Sequence, residues 1–307
     1  MLLFTHPSSL AHDTGAGHPE RAERIRAILR ALDAAAPPGL VRREAPEASL
    51  EDIARAHPEP YPSRIRAAIP GSGLARLDPD TVVSPGSWTA ALTAAGGAVA
   101  AVDAVLAGED RTAFCCLRPP GHHAEPARAM GFCLFDNVAI AALHARHAHG
   151  IGRIAIVDFD VHHGNGTQAI VWDDPDTLYV STHQWPLYPG TGRASETGAH
   201  GNIVNVPLPP GTDGPAYRRA VEAAVLPRLE AFAPELVLVS AGFDAHADDP
   251  LASLLLVEAD FAWITTELLR IADRHAHGRL VSVLEGGYDL EALAASALAH
   301  VRVLARA

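Results

Sequence analysis

The chain has 307 residues, 48% of them hydrophobic and 20% charged, and carries a formal charge of −12 at neutral pH. This composition describes a globular chain with a large core, and the acidic balance argues against a general electrostatic role on nucleic acid, which needs a basic surface. Cys115, Cys116 and Cys133 show no CxxC spacing and no disulfide framework, which suits a reducing, cytoplasmic setting; no signal peptide is expected, and no membrane span, because no apolar run approaches about 18 residues without a polar or proline interruption.

In chain order, the first helix is predicted over residues 19–35. Pro19 suits its first turn, Glu20 and Glu23 suit its positive end, and Ala22, Ile25, Ile28, Leu29 and Leu32 form one apolar face before Pro37-Pro38-Gly39. Residues 57–85 read as irregular because Pro58, Pro60, Pro62, Pro70, Gly71 and Gly73 crowd them, and such a stretch inside a globular chain is often a functional loop. Ser84 is expected to cap a helix with Pro85 in its first turn that runs to about Ala107, before Gly108. From there strand, loop and helix repeat. The predicted strands are 113–117, 154–159, 178–182, 203–206, 236–240 and 280–284. The predicted helices are 137–149, ended by Gly150, a short one from about 167, then 214–232, 258–275 and one from about 290 to the end. Strands that are apolar on both faces and alternate with helices predict an α/β fold, mostly parallel, with helices on both faces of the sheet, in one domain over 1–307. Cys115 and Cys116, adjacent in a strand, should point to opposite faces.

In such folds ligands bind beyond the carboxyl ends of the strands. After strand 113–117 comes Arg118-Pro119-Pro120-Gly121-His122-His123-Ala124, a stiff non-helical bend that carries two imidazoles. After 154–159, Asp158, Asp160 and His162 fall on one face of an extended chain, placed to hold a metal ion; the bland alternative is that the aspartates cap turns. Gly242-Phe243-Asp244 supplies a second carboxylate from another strand end, and Glu285-Gly286-Gly287-Tyr288 presents a hydroxyl on backbone that can pack closely. Asp160, His162 and Asp244 make a three-ligand set with a position left for water, the catalytic rather than the structural arrangement.

In these stretches the chain resembles the zinc-dependent histone deacetylases and their bacterial relatives, including acetylpolyamine amidohydrolases. The matching segments are Gly17-His18-Pro19-Glu20-Arg21, 118–124, Gly131-Phe132-Cys133, 158–168, Tyr188-Pro189-Gly190-Thr191-Gly192, 240–244 and 285–288, in family order along nearly the whole chain. Asn165 and Gly242-Phe243-Asp244 resemble the class II branch. The resemblance implies the arginase/deacetylase fold. It also implies deacetylation of acetyl-lysine or a related N-acetylated alkylamine, with acetate released by water activated at the metal. One Zn²⁺ per chain would sit on Asp160, His162 and Asp244, and Tyr288 would donate to the substrate carbonyl. His122 would pair with Asp158 and stay charged, while His123, paired with Asn165, would act as general base and then acid. A potassium ion behind the zinc would draw on Asp158, Asp160, His162, Ser181 and Thr182. Gly131, Phe132 and Tyr188 would wall an acyl-lysine tunnel, with Leu251 and Asp80 near its mouth. On the residues alone, Phe132 and Tyr188 read equally as core aromatics, and Asp80 as a turn cap. Arg24 aligns with an arginine lining an inner cavity in some relatives, but by itself it reads as a helix-surface salt bridge. His163 reads as structural, and His12, His57, His144, His147, His149, His275, His277 and His300 as solvated surface.

The expected substrate is an acetylated lysine peptide or a small acetylated amine, with neither nucleic acid nor membrane as partner; the oligomeric state is left open. Leu251 stands where some polyamine-selective members place Glu, and the 124–130 loop is short. Both lean away from strict polyamine specificity, although Asp248 and Asp249 leave acidic charge nearby. An acetylpolyamine amidohydrolase therefore remains the alternative. A di-manganese ureohydrolase of the arginase type is remote: Asp244-Ala245-His246 matches its motif only in part. A non-enzymatic sensor of the same fold should have lost a ligand, a histidine or Tyr288, and none is lost.

Overall fold

The computed structural model describes residues 1–306. Its core is an eight-stranded, all-parallel sheet. The strands are β1 (Leu2–Thr5), β2 (Val41–Glu44), β5 (Thr112–Cys115), β6 (Ile154–Asp158), β7 (Thr177–Gln184), β8 (Ile203–Leu208), β9 (Leu236–Ala241) and β10 (Leu280–Leu284), in the order β2-β1-β5-β10-β9-β6-β7-β8. A two-stranded antiparallel ribbon, β3 (Ala75–Arg76) and β4 (Val82–Val83), stands apart. The α/β class and the parallel sheet agree with the sequence expectation. The four strands whose ends carry the candidate chemistry, β5, β10, β9 and β6, are contiguous in the middle of the sheet. Their register aligns Cys115 with Val283, Val283 with Ser240, and Ser240 with Asp158, so their ends lie level.

Alternation along each strand divides the core. Helices 23–35, 258–275 and 290–304 cover one face with Ile25, Ile28, Leu32, Phe261, Leu268, Leu293 and Val301. Helices 87–106 and 137–149 cover the other with Ala94, Ala98, Val102, Val138 and Ala142. Cys116 belongs to the first layer and Cys115 to the second, as period-two alternation requires. Helix Asn137–His149 matches its predicted bounds. Asp136 caps it by accepting from the Ala139 amide at 2.9 Å, and Gly150 ends it at φ 66°.

Several expectations need correction. The first long helix begins at Glu23, not Pro19, and Glu20 lies ahead of it. Residues 57–85 contain a helix, Tyr61–Ala68, in which Pro62 lies in the first turn, where a missing N–H costs nothing. Ser84 does not cap the next helix, which starts at Ser87; its hydroxyl accepts from the Asp13 amide instead. That helix, Ser87–Leu106, is long and apolar enough to cross a membrane by length and composition, and 78% of the qualifying stretch is buried inside the fold. Helix 214–232 holds a π-helical turn at Val221–Val225, just before Pro227; the proline cannot donate to the preceding turn and its ring crowds the carbonyl there. β1, β2 and helix Leu50–Ala56 were not foreseen. At the sheet edge, β2 is exposed throughout and reads Val-Arg-Arg-Glu, a charged strand that resists further pairing. His12, His57 and His300 are buried rather than solvated. His57 Nε2 accepts from the Asp136 amide at 2.8 Å, and His300 is held between Thr265 and Ser282 hydroxyls at 2.6 and 2.9 Å.

Arg24 is likewise fully buried and makes no surface ion pair. It belongs to an ionic network with Glu20 and Arg118 beneath the strand ends. Arg118 pairs with both oxygens of Glu20, through Nε to Oε1 and through Nη2 to Oε2 at 2.6 Å, while its Nη1 donates to the Ser9 carbonyl at 2.6 Å. Arg24 donates to Glu20 at 3.1 Å, to the Gly287 carbonyl at 2.6 Å and to the Glu285 carbonyl. Burial pushes the Glu20 carboxyl up, but Arg118 and then Arg24 outweigh it and hold its pKa at about 2, below the ordinary 4.5. Glu20→Gln should therefore cost about 3–5 kcal/mol of stability at pH 7, measured by urea unfolding, since it strands buried guanidinium charge. A depressed folded pKa contributes stability above the unfolded value, so the gap between wild type and Glu20→Gln should shrink as pH falls from about 4.5 towards about 2.

Candidate active site

Asp160, His162 and Asp244 converge at the centre of the sheet, each offering one ligand atom within 4.8 Å of the others, all buried. His162 Nδ1 lies 3.1 Å from Asp160 Oδ1 and 3.1 Å from Asp244 Oδ2. Backbone amides fix both carboxylates: Gly286 N and His162 N donate to Asp160 at 2.7 and 2.8 Å, and Val161 N donates to Asp244 at 2.9 Å. At Gly286 a Cβ would run into the Asp244 carboxylate and lie 2.6 Å from that of Asp160, so only glycine lets β10 approach this closely. Burial and the neighbouring Asp160 raise the Asp244 carboxyl to about 7. Burial disfavours charge on His162, but Asp160 and Asp244 outweigh it and raise the imidazole to about 10. Two buried carboxylates facing one imidazole nitrogen demand a positive charge at their common point, and a divalent ion on the three donors meets that demand. The donor set fits a borderline metal such as Zn²⁺.

Asp158 does not share the face of Asp160 and His162. The strand ends at Asp158, and the chain turns back on it, with Asp160 N donating to Asp158 Oδ1 at 3.1 Å. Asp158 Oδ2 then accepts from His122 Nδ1 at 3.0 Å and from the Tyr179 hydroxyl at 2.9 Å. Burial opposes charge on His122, but Asp158, Asp160 and Glu285 raise its pKa well above the ordinary histidine range. His123 has a different partner: its Nδ1 is 2.9 Å from Asn165 Oδ1, while Asn165 Nδ2 donates to Glu125 at 2.9 Å. That second bond turns the amide oxygen towards His123, whose Nδ1 must donate, leaving Nε2 as the bare nitrogen. Burial, then the charges on His122 and His162, push His123 well below the usual range. The rings of His122 and His123 stand 4.0 Å apart, so charge on one opposes charge on the other.

A cavity of about 230 Å³ opens over these groups, lined by Asp80, His123, Gly131, Phe132, His162, Leu187, Tyr188, Leu251 and Tyr288. Every residue placed at a tunnel or rim by sequence is present; Leu187 was missed. Phe132 is not a core aromatic: it holds a left-handed φ of 69°, costly for an aromatic residue, and meets Tyr288 edge to face at 5.9 Å. Gly131 at φ 58° lies against the His123 ring, where a Cβ would collide with the imidazole. Tyr188 is partly exposed and sets its edge against His123 at 5.1 Å. Burial raises the Tyr288 hydroxyl well above its ordinary pKa, so it remains a proton-bearing donor, and Arg24 lies 5.0 Å over its ring.

Three supporting groups escaped the sequence reading. Glu285 Oε2 accepts from Gly121 N at 2.7 Å and His122 N at 3.2 Å, fastening the double-histidine loop to β10. Asp249 was expected to leave acidic charge near the mouth; instead it is buried, with Oδ2 accepting from Tyr288 N at 2.7 Å and Oδ1 from Leu251 N at 3.0 Å. Glu125 orients Asn165. A carboxylate whose partners are main-chain amides of distant segments has no periodicity to betray it. Ser181 pairs in register with Asp158 and shares its face, its hydroxyl 2.9 Å from His183 Nδ1. Thr182 faces the opposite layer, 3.3 Å from the Tyr217 hydroxyl. His163 is held by Thr191 at 2.8 Å and Gln168 at 2.9 Å, a structural setting. His246, the residue behind the ureohydrolase alternative, stands apart from the cluster, 3.8 Å from each of Asp248 and Glu258.

The family model described as the histone deacetylase domain matches residues 18–304. A histone deacetylase-like amidohydrolase from Pseudomonas aeruginosa is 46% identical over 279 residues, covering 89% of this chain and 73% of that protein. A probable deacetylase from Archaeoglobus fulgidus is 41% identical over 295 residues, covering 94% and 81%. The crystal structure of the HDA15 HD domain superposes with a TM-score of 0.94 at 36% identity, covering 99% of this chain and 88% of that one.

Asp244→Asn should weaken the tightest Zn²⁺-binding step by at least about 100-fold, because losing a ligand costs more than the 10–100-fold typical of a group behind one. Calorimetric titration of the two metal-stripped proteins measures this, and equal affinities would remove Asp244 from the ligand set.

Proposed function

Because the chain belongs to the histone deacetylase family, we propose that it is a hydrolytic deacetylase acting on an acetylated lysine side chain or a related N-acetylated alkylamine, with one Zn²⁺ held by Asp160, His162 and Asp244. The observation that carries this reading is the floor of the cavity, where the bare Nε2 side of a neutral histidine and a protonated tyrosine flank the dicarboxylate–imidazole cluster. When bound, the ion supplies Lewis-acid activation of the amide and of water. His123 Nε2 accepts the proton of the attacking water and returns it to the departing amine. Tyr288 Oη donates to the carbonyl oxygen as negative charge develops there. His122, tied to Asp158, contributes a fixed positive charge and keeps its proton. Phe132, Tyr188, Leu187 and Leu251 grip an alkyl stem and exclude water from it, and Asp80 accepts a hydrogen bond from the substrate at the mouth. A potassium ion beside Asp158 would take the Ser181 hydroxyl together with main-chain oxygens near Asp160, His162 and Thr182. The free, buried Cys115, Cys116 and Cys133 support a reducing, cytoplasmic setting.

His123→Ala should lower kcat by at least about 100-fold with its zinc content unchanged, read by steady-state kinetics and elemental analysis. Substantial hydrolysis by that variant would sink the general-base assignment. The apolar Leu251 in the cavity wall and the amide-bound Asp249 favour lysine side chains over polyamines. An N-acetyl-lysine peptide should therefore show a higher kcat/KM than an N-acetylated polyamine, and the opposite order would assign the enzyme to polyamines.

A further inference from the structure

A second cluster of metal-binding side chains lies at the other end of helix Asn137–His149. We propose that Asp103, His144 and His149 form a binding site for a borderline divalent cation of the Zn²⁺ class. Asp103 comes from the last turn of helix Ser87–Leu106, and the two histidines from the C-terminal half of helix Asn137–His149. Their ligand atoms all fall within 4.8 Å of one another. Both imidazoles aim Nε2 at the same atom, Asp103 Oδ1, at 2.7 Å from His144 and 2.6 Å from His149.

The arrangement behind His144 is what separates the cluster from an ordinary surface ion pair. Its Nδ1 lies 2.9 Å from Asp52 Oδ1, and Asp52 is itself held by the Ser49 hydroxyl at 2.5 Å and by Arg55. A carboxylate on the far nitrogen orients a ligating imidazole and fixes the tautomer with Nδ1–H, which turns the Nε2 lone pair towards the metal. In that tautomer the lone pair faces a carboxylate oxygen, two acceptors with nothing between them, so a proton or a cation must bridge them. His149 can donate to Asp103 as its Nε2–H tautomer, so the unmet pair is the one at His144; a proton would fill that pair alone, whereas a divalent ion serves both imidazoles and the carboxylate together. Two nitrogens and one oxygen suit Zn²⁺, with remaining positions open to solvent on the Asp103 side, where the side chain is 48% exposed. The negative end of the helix macrodipole also lies here, in the turn that ends at Gly150.

This site would act on stability rather than on chemistry. It joins helices 87–106 and 137–149 directly and helix 50–56 through Asp52. The 13-residue helix 137–149 spans about 20 Å, and its opposite end, at Asn137, is the one that touches the catalytic loop through the Pro119 carbonyl. The test compares wild type with His149→Gln, and with Asp103→Asn as a second variant in another helix, each as the zinc-loaded full chain equilibrated by dialysis against excess Zn²⁺. Wild type should hold one more Zn²⁺ per chain than either variant, with equal deacetylase activity. Added Zn²⁺ should raise the wild-type Tm by about 3 °C more than that of the variants. Because the readout is a difference between proteins sharing the same catalytic cluster, it does not depend on the metal held there. Equal zinc contents, or equal Tm shifts, would overturn the proposal and leave the three residues as an ion-paired surface cluster.

Discussion

Two carboxylates, Asp160 and Asp244, face one imidazole nitrogen in the interior, and the surroundings are arranged around that concentration of charge. Each carboxylate takes backbone amides from its own turn or a neighbouring strand end. Those amides can reach only because β10, β9 and β6 are adjacent and in register, and because Gly286 has no side chain to hold the backbone away. Buried negative charge of this density needs a cation. A divalent ion on Asp160, His162 and Asp244 would supply it at the centre of the sheet.

The same charge separates two neighbouring histidines. His122 faces Asp158, with Asp160 and Glu285 close by, and burial is outweighed, so it is held protonated. His123 faces an amide, and burial beside a charged neighbour drives it neutral. One ring is held charged and the other neutral, although their backbones are consecutive. Behind them a second ionic group, Glu20 with Arg118 and Arg24, ties the start of the double-histidine loop to the β10 end through the Gly287 and Glu285 carbonyls. Tyr288 rests on this network through the guanidinium of Arg24. Glu20 offsets one of the two guanidinium charges there, and main-chain carbonyls of Ser9, Glu285 and Gly287 take the remaining donors.

Legibility followed the range of the interaction. Helix 137–149 and helix 258–275 could be read to the residue because periodicity, an acidic residue near the start and a last turn rich in basic residues all act within a few positions. The Pro-rich stretch was misread because proline signals the beginning of a helix as readily as the end of one. β1 and β2 are four residues each, too short for a pattern, and exist because β5 offers an edge to β1 and β1 in turn to β2. Buried His12, His57 and His300 looked like surface residues because polar partners from distant segments satisfy them, and no spacing records that.

The sequence alone determined the class of fold, the strand ends that carry chemistry, and the residue types delivered there, since alternation and turn chemistry are local properties. It also carried the pairings of His122 with Asp158 and His123 with Asn165, through resemblance to a family. Tertiary structure alone decided that the chain turns back on Asp158 instead of running on extended, that Arg24 and Glu20 are interior, that Asp249 braces Tyr288 and Leu251 instead of lending charge to the mouth, and that Glu285 fastens the double-histidine loop. Burial and the geometry of contact between distant segments set those outcomes, and both come into being only when the chain closes on itself.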